Sequence, residues 1–191
     1  MNEYYYYLGL IAADGYLTRH GVGLDLCEKD IIFACAKHFK CHEPKQHGNL
    51  WRVLISDKEL RQTIVNKRIR TPYKKDMVWP SIPKKYTNHF IRGYFDGDGS
   101  ATLEDNGRGT IRTRANIRGP KLFLEGLHKH IGIGGINHSH PRCSTITIGT
   151  PLLKKFIHII YKNSTIHIKY KHDRLMSATS LVTGSSKTFS D

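Results

Sequence analysis

The sequence predicts an α+β protein of two pseudo-symmetric halves, each ordered αββαββα around antiparallel strands, and three observations carry that reading. A short segment occurs twice, YLGLIAADG at 7–15 and IRGYFDGDG at 91–99, so that Gly9, Asp14 and Gly15 correspond to Gly93, Asp98 and Gly99 at an offset of 84 residues. Each copy is followed by the same order of alternating and helical patterns. Between them lies a stretch carrying Pro72, Pro80 and Pro83, the composition of an extended linker. The expected boundaries are 1–70 for the first half, 71–86 for the linker, 87–176 for the second half and 177–191 for a flexible tail rich in Ser, Thr and Gly.

The elements follow in order. Residues 3–13 read as a helix stopped by the turn pair Asp14-Gly15. An alternating stretch at 17–27 is broken at His20-Gly21, which makes it a hairpin. Asp30 can cap a helix over 31–39, and a second hairpin turns at Gly48-Asn49 into a strand at 51–55. Ser56 and Glu59 have capping-box spacing ahead of a helix that reaches about residue 69. The second half repeats the order: a helix over 87–97, strands at 100–103 and 110–117 around an Asn106-Gly107 turn, and a helix opened by Gly119-Pro120 that runs to Ile131. Strands at 135–140 and 144–149 follow, and Thr150-Pro151 caps another helix through Tyr161.

Composition restricts the function. A formal net charge of +14 and a pI near 9.7 favour a polyanionic partner, with nucleic acid first. A membrane is not expected, because no apolar run approaches the roughly 18 residues that span a bilayer. The N-terminus has neither a basic n-region nor an A-x-A pattern, so the expectation is an intracellular protein of the cytoplasm, nucleoid or an organelle matrix. Cys27, Cys35, Cys41 and Cys143 are few and irregularly spaced, as free thiols are. Cys35, His38, Cys41 and His42 have the residue types of a zinc set, but their spacing reads better as a helix with small buried thiols and surface histidines.

The repeated segment carries the chemistry. Gly9 with Ala13, and Gly93 with Gly97, are small residues four apart, so each helix has one smooth stripe that another backbone can approach. Two such stripes face to face bring Asp14 and Asp98 together at helix C-termini. The helix dipole is negative there and the carboxylates repel each other. A divalent cation with oxygen ligands resolves that conflict, which fits Mg²⁺. The strands supply a complementary surface. Along 110–118, Arg112, Arg114, Asn116 and Arg118 alternate with Ile111, Thr113, Ala115 and Ile117, giving one face of the groups that read purine edges or hold phosphates. Weaker clusters lie at Arg19 and His20, at Lys45, Gln46 and Arg52, and at Asn137, His138, His140 and Arg142.

With these residues on view, the chain resembles the LAGLIDADG homing endonucleases in their single-chain, two-motif form. The two nine-residue copies match the name-giving helices, and Trp79-Pro80, Ile82-Pro83 and 89–99 are close to members from introns and bacteriophages. The resemblance implies the homing endonuclease fold, with two saddle-shaped sheets lying along the DNA major groove of one long, asymmetric target. It implies a monomer that cuts double-stranded DNA, leaving 3′ overhangs, with Mg²⁺ and with Mn²⁺ able to substitute. Asp14 and Asp98 are the implied metal ligands, the carbonyls of Ala13 and Gly97 the co-ligands, and Glu28, Lys29, Asn116, Lys74 or Lys75, and Lys169 the surrounding polar groups. Two departures stand out: Ala12 replaces the earlier Asp of the motif, and Glu28 stands where Gln is common. Two other functions on the same scaffold are a splicing maturase acting on intron RNA and a DNA-binding protein that no longer cuts. The retained Asp pair argues against a degenerate form.

Overall fold

The computed structural model describes residues 1–105, 111–140 and 143–184. Its first half runs α1 (Asn2–Asp14), β1 (Gly15–Leu17), β2 (Val22–Leu26), α2 (Lys29–His38), β3 (Lys45–His47), β4 (Leu50–Ile55) and α3 (Lys58–Asn66). The second half runs α4 (Lys84–Asp98), β5 (Gly99–Asp105), β6 (Ile111–Gly119), α5 (Lys121–Ile131), β7 (Gly135–His140), β8 (Cys143–Gly149), α6 (Thr150–Tyr161) and α7 (Lys169–Gly184). Each half builds a four-stranded antiparallel sheet, in the order β1-β2-β4-β3 and then β5-β6-β8-β7. The two orders are the same arrangement repeated, as the sequence repeat requires.

Helices α1 and α4 stand side by side between the sheets and form the most extensive contact of the molecule. Residues 5–13 of α1 are all buried, because the helix is covered on every side and is apolar all round. The glycines make this closeness possible. A Cβ on Gly9 would lie 2.1 Å from the Phe90 carbonyl oxygen, and one on Gly93 would lie 1.9 Å from that of Tyr6. One face of each sheet closes the core: Val22, Leu24, Leu26, Val53 and Ile55 in the first, and Ala115, Ile117, Ile146 and Ile148 in the second, with the helices packed on them. The alternate residues face away from the helices. Among the described residues no helix is long and apolar enough to cross a membrane.

Four local expectations are corrected. Helix α3 is capped by Asp57, whose carboxylate accepts from the Leu60 amide at 2.9 Å, and not by Ser56; the charged acceptor one residue later holds the N-terminus. The linker is shorter and less extended than 71–86: it includes a 3₁₀ turn at Lys74–Asp76, and α4 already begins at Lys84 behind Pro83. The cap of α6 is Gly149, with Pro151 in its first turn, where a missing N–H costs nothing. The tail expected from 177 is helical as far as Gly184, because α7 continues through it; residues 185–191 lie outside the described residues. The Asn106-Gly107 turn also lies outside them.

Candidate metal centre and nucleic-acid interface

The stripes of α1 and α4 meet along their length, and both helices stop at a Gly in extended conformation, leaving Asp14 and Asp98 as adjacent last residues. The approach is tight at this end as well. A Cβ on Gly97 would lie 2.3 Å from that of Ala13 and 2.7 Å from an Asp14 carboxylate oxygen. The Asp14 carboxyl is pushed above the usual carboxylate range, first by the loss of water on its packed side and then by the charge of Asp98. Nearby Lys74, Lys171 and Arg70 oppose that shift.

These cations sit over the carbonyl ends of the helices. Lys74 Nζ donates to the Ala13 carbonyl at 2.8 Å and to Asp98 Oδ2 at 2.6 Å. Arg70 reaches the carbonyls of Ala12 and Ala13 at 3.3 and 3.4 Å. On the other helix Lys171 donates to the carbonyls of Phe95, Asp96 and Gly97, the last at 2.8 Å. Its ammonium pKa is lowered by burial, against the pull of Asp96, Asp14, Glu28 and Asp98. Each helix C-terminus, negative by its dipole, thus meets a positive side chain delivered from the segment that closes its own half.

The donor set fits a hard divalent cation. Two carboxylates and the carbonyls of Ala13 and Gly97 are all hard oxygen donors, and positive charge placed between the members of the crowded anion pair would stabilise it. Those carbonyls hold ammonium groups here, so the position already favours a cation. Among the described residues no group of three or more His, Cys, Asp or Glu side chains gathers as a metal cluster. Any ion at this centre therefore relies on main-chain, water or phosphate oxygens to complete its shell.

A buried network supports the second half of the centre. Asp96 accepts from Tyr6 Oη at 2.8 Å, Tyr161 Oη at 3.2 Å and the Ile168 amide at 2.8 Å, which ties α4 to α1, α6 and the start of α7. Burial pushes its carboxyl up to about 6, with those hydrogen bonds and Lys171 opposing. The Ile168 bond fixes the entry to α7, and α7 carries Lys171. Arg92, 1% exposed, extends the network to the carbonyls of Ile160 and Ile166 and lies over the Tyr6 ring.

Several expected site residues have different surroundings. Lys29 lies over the rings of Phe33 and Trp51, while Glu28, in place of the expected Asp30, stands at the N-cap position of α2 without a side-chain cap bond and acts electrostatically on Lys171. Lys169 is exposed and paired with Asp173, two residues before Lys171, the residue that reaches the centre. Asn116 pairs in register with Ser100, two residues past Asp98, and accepts from Thr147 at 2.9 Å. Lys75, Lys74, Asp98 and Arg118 line a cavity of about 190 Å³ beside the second carboxylate. Lys171, Arg70 and Asp96 escape the sequence reading. Lys171 could have been found from the spacing Ile168, Lys171, Leu175, a buried face of α7 with a lysine at its middle.

The sheet faces turned away from the helices carry most of the expected nucleic-acid contacts. Arg19 and His20 are exposed in the β1–β2 turn, and Lys45 and Gln46 are exposed on β3. Arg52 is bound to Asp25 across β2 and β4. Arg114 and Arg118 are exposed on β6, alternating with buried Thr113, Ala115 and Ile117. Asn137 and His140 are exposed on β7. His138 lies on the same side of β7 as Ile136, whose register partner Ile146 is buried, so it bonds Ser144 Oγ at 2.6 Å and lies 3.7 Å from Glu125 of α5, ahead of a register shift that ends at His140. Arg142 and the side chain of Arg112 lie outside the described residues.

No family model and no curated protein matches the chain. Solved structures do match over nearly its full length. The LAGLIDADG homing endonuclease I-GzeII in complex with its DNA target gives a TM-score of 0.70 at 13% identity, covering 96% of this chain and 92% of that one. The LAGLIDADG meganuclease I-AabMI bound to uncleaved DNA gives 0.66 at 12%, covering 95% and 92%. I-SmaMI, bound to uncleaved DNA in the presence of calcium ions, gives 0.63 at 12%, covering 94% and 92%. With its duplicated sheets, its glycine-packed helix pair and the two aspartates that end it, the chain has the fold of the LAGLIDADG homing endonucleases.

Proposed function

We propose that this protein is a site-specific DNA endonuclease, hydrolysing one phosphodiester in each strand of a long asymmetric duplex with Mg²⁺ and leaving 3′ overhangs. The observation that carries the reading is the pair Asp14 and Asp98, ending two helices packed at backbone contact, each helix end served by its own lysine. The basic charge and the two open sheet faces flanking that pair support duplex DNA as the substrate. The fold's solved relatives include proteins crystallised with DNA, one of them with calcium ions.

The work divides among named residues. Asp14, Asp98 and the carbonyls of Ala13 and Gly97 would hold the divalent ions, which supply Lewis-acid stabilisation of charge on phosphate oxygens and make water a stronger nucleophile. Lys74, Lys75 and Arg118 form a basic recess beside Asp98 that receives a phosphate. Lys74 and Lys171 are placed to donate hydrogen bonds to oxygens that gain charge during cleavage. The glycine contact sets the spacing between the two carboxylates, because the helices cannot move apart or together without losing it. One chain that carries both carboxylates acts as a monomer.

The test is incubation with a library of randomised duplexes, with Mg²⁺ or with EDTA. The expected outcome is double-strand cleavage of one sequence class with Mg²⁺ and intact DNA with EDTA. Duplex binding without metal-dependent cleavage of any member would overturn the nuclease reading and leave a binding protein.

A further inference from the structure

The first sheet carries an ion pair that the cutting centre does not use. Asp25 of β2 and Arg52 of β4 are direct register partners. Their neighbours Leu24, Leu26, Val53 and Ile55 are buried against the helices, so the pair lies on the open face. The contact is a closed fork: Arg52 Nε is 3.0 Å from both Asp25 oxygens, and Nη2 is 2.7 Å from Oδ2. Tyr16 Oη donates to Asp25 Oδ1 at 3.2 Å, and the Tyr16 ring lies 5.8 Å from the guanidinium carbon. Lys45 stands opposite Arg52 on the far side.

A carboxylate is out of place on a surface that meets a polyanion, since it repels every nearby phosphate. It is also the less accessible partner: 17% of the Asp25 side chain is exposed against 36% for Arg52. An incoming ligand therefore meets the guanidinium. A free arginine is a flexible phosphate binder, but this one has lost its rotamer freedom to the fork and the ring. Asp25 occupies the Nε–Nη2 edge, which leaves the end-on Nη1–Nη2 edge as the remaining bidentate donor. Guanine presents the matching acceptors, O6 and N7, in the major groove. Room for a base edge exists, because Arg52, Lys45, His47 and Leu54 line a cavity of about 710 Å³.

We propose that Asp25 and Tyr16 hold Arg52 as the reader of a single guanine in the half-site beneath the first sheet, Asp25 acting as a positioning residue. This rests on the proposed reading of duplex DNA as the substrate, and it assigns a base to one position of that substrate. Asp25 gives up general affinity for phosphate and secures the orientation that makes Arg52 selective.

The test uses the duplex selected from the randomised library, re-measured for binding in EDTA with every base pair replaced in turn. Wild type should prefer G·C at one position beneath the first sheet by about 10- to 100-fold, the range of a bidentate arginine contact. Substituting 7-deazaguanine there should remove much of that preference. In Asp25→Asn the preference at that position should flatten while affinity for random duplex rises, because a negative charge has left the face. A defect of folding cannot move those two readouts in opposite directions. In Arg52→Ala the 7-deazaguanine effect should vanish. The proposal is overturned if Arg52→Ala weakens all duplexes equally and lowers the salt slope by about one, the mark of a phosphate contact. It is also overturned if Asp25→Asn keeps the wild-type preference. Wild type binding no duplex at all would instead overturn the DNA reading itself, so the two failures are distinguishable.

Discussion

The two sheets share one strand order and differ in almost everything they show to solvent. The first turns outward Tyr16, the Asp25–Arg52 pair, Leu54 and Leu50, a face where charge is partly cancelled and two leucines are 52% and 38% exposed. The second turns outward Arg114, Arg118, Asn116, Asn137, Thr145 and Thr147, a face of donors without a described internal carboxylate partner for Arg118. Their inward faces remain alike, with β-branched and small apolar residues closing on helices. The difference teaches where the repeat is constrained. Residues that fix the helix pair and the sheet cores have little room to change, while the alternate residues of the same strands are free to differ. Under the proposed function, that division predicts an asymmetric target.

The largest expected effect concerns the constrained side. Gly93→Ala drives a methyl group onto the Tyr6 carbonyl, and Gly9→Ala does the same at Phe90, so each should cost about 3 kcal/mol or more in chemical denaturation. Gly135→Ala meets open space in an extended strand and should stay within about 0.5 kcal/mol. Equal stabilities across the three variants would remove the helix stripe from the account.

Next is the contrast between two lysines of α7. Lys171→Met exchanges a buried side chain for an apolar one of similar length and should leave folding intact, yet slow Mg²⁺-dependent cleavage by about 100-fold, as loss of one charge-stabilising donor does. Lys169→Met breaks only an exposed pair with Asp173 and should stay within about twofold. The reverse ranking would place the catalytic cation at 169.

A smaller effect separates the sheets by chemistry. Exposed Leu54 suits the 5-methyl group of thymine. Replacing thymine by uracil in the half-site under the first sheet should weaken binding by about 0.8 kcal/mol per methyl lost, roughly fourfold, and the penalty should disappear in Leu54→Ala. The same replacement under the second sheet should matter less. A penalty equal on both sides, or one that persists in Leu54→Ala, would erase the distinction between the faces.

Local signals made the fold legible, and tertiary contacts hid part of the site. The repeated helices, the Gly48 turn with its positive φ and the alternation of β6 follow from short-range patterns. Helix α7 was hidden because its buried face, Ile168, Lys171 and Leu175, has a lysine at the centre, so it shows almost no amphipathic period and ends in residues that resemble a tail. Its lysine gained meaning only when it was seen over the α4 carbonyls. Asp96 posed a similar difficulty: its carboxylate caps an amide 72 residues away, a partner that no spacing rule contains. Asp25 reads as an ordinary polar alternate until the β2–β4 register sets it opposite Arg52. His138 fails in the other direction, since it shares its side of β7 with Ile136 and meets Ser144 and Glu125 there.

The central claim is that Asp14 and Asp98 form one metal-dependent cutting centre shared by two halves. Its most direct test is strand-resolved cleavage of the selected duplex by wild type, Asp14→Asn and Asp98→Asn in Mg²⁺, with affinity measured in parallel. The account predicts that each single variant loses double-strand cleavage by about a thousandfold or more, while binding remains within a few-fold of wild type. Double-strand cleavage at near wild-type rates by either variant would contradict it.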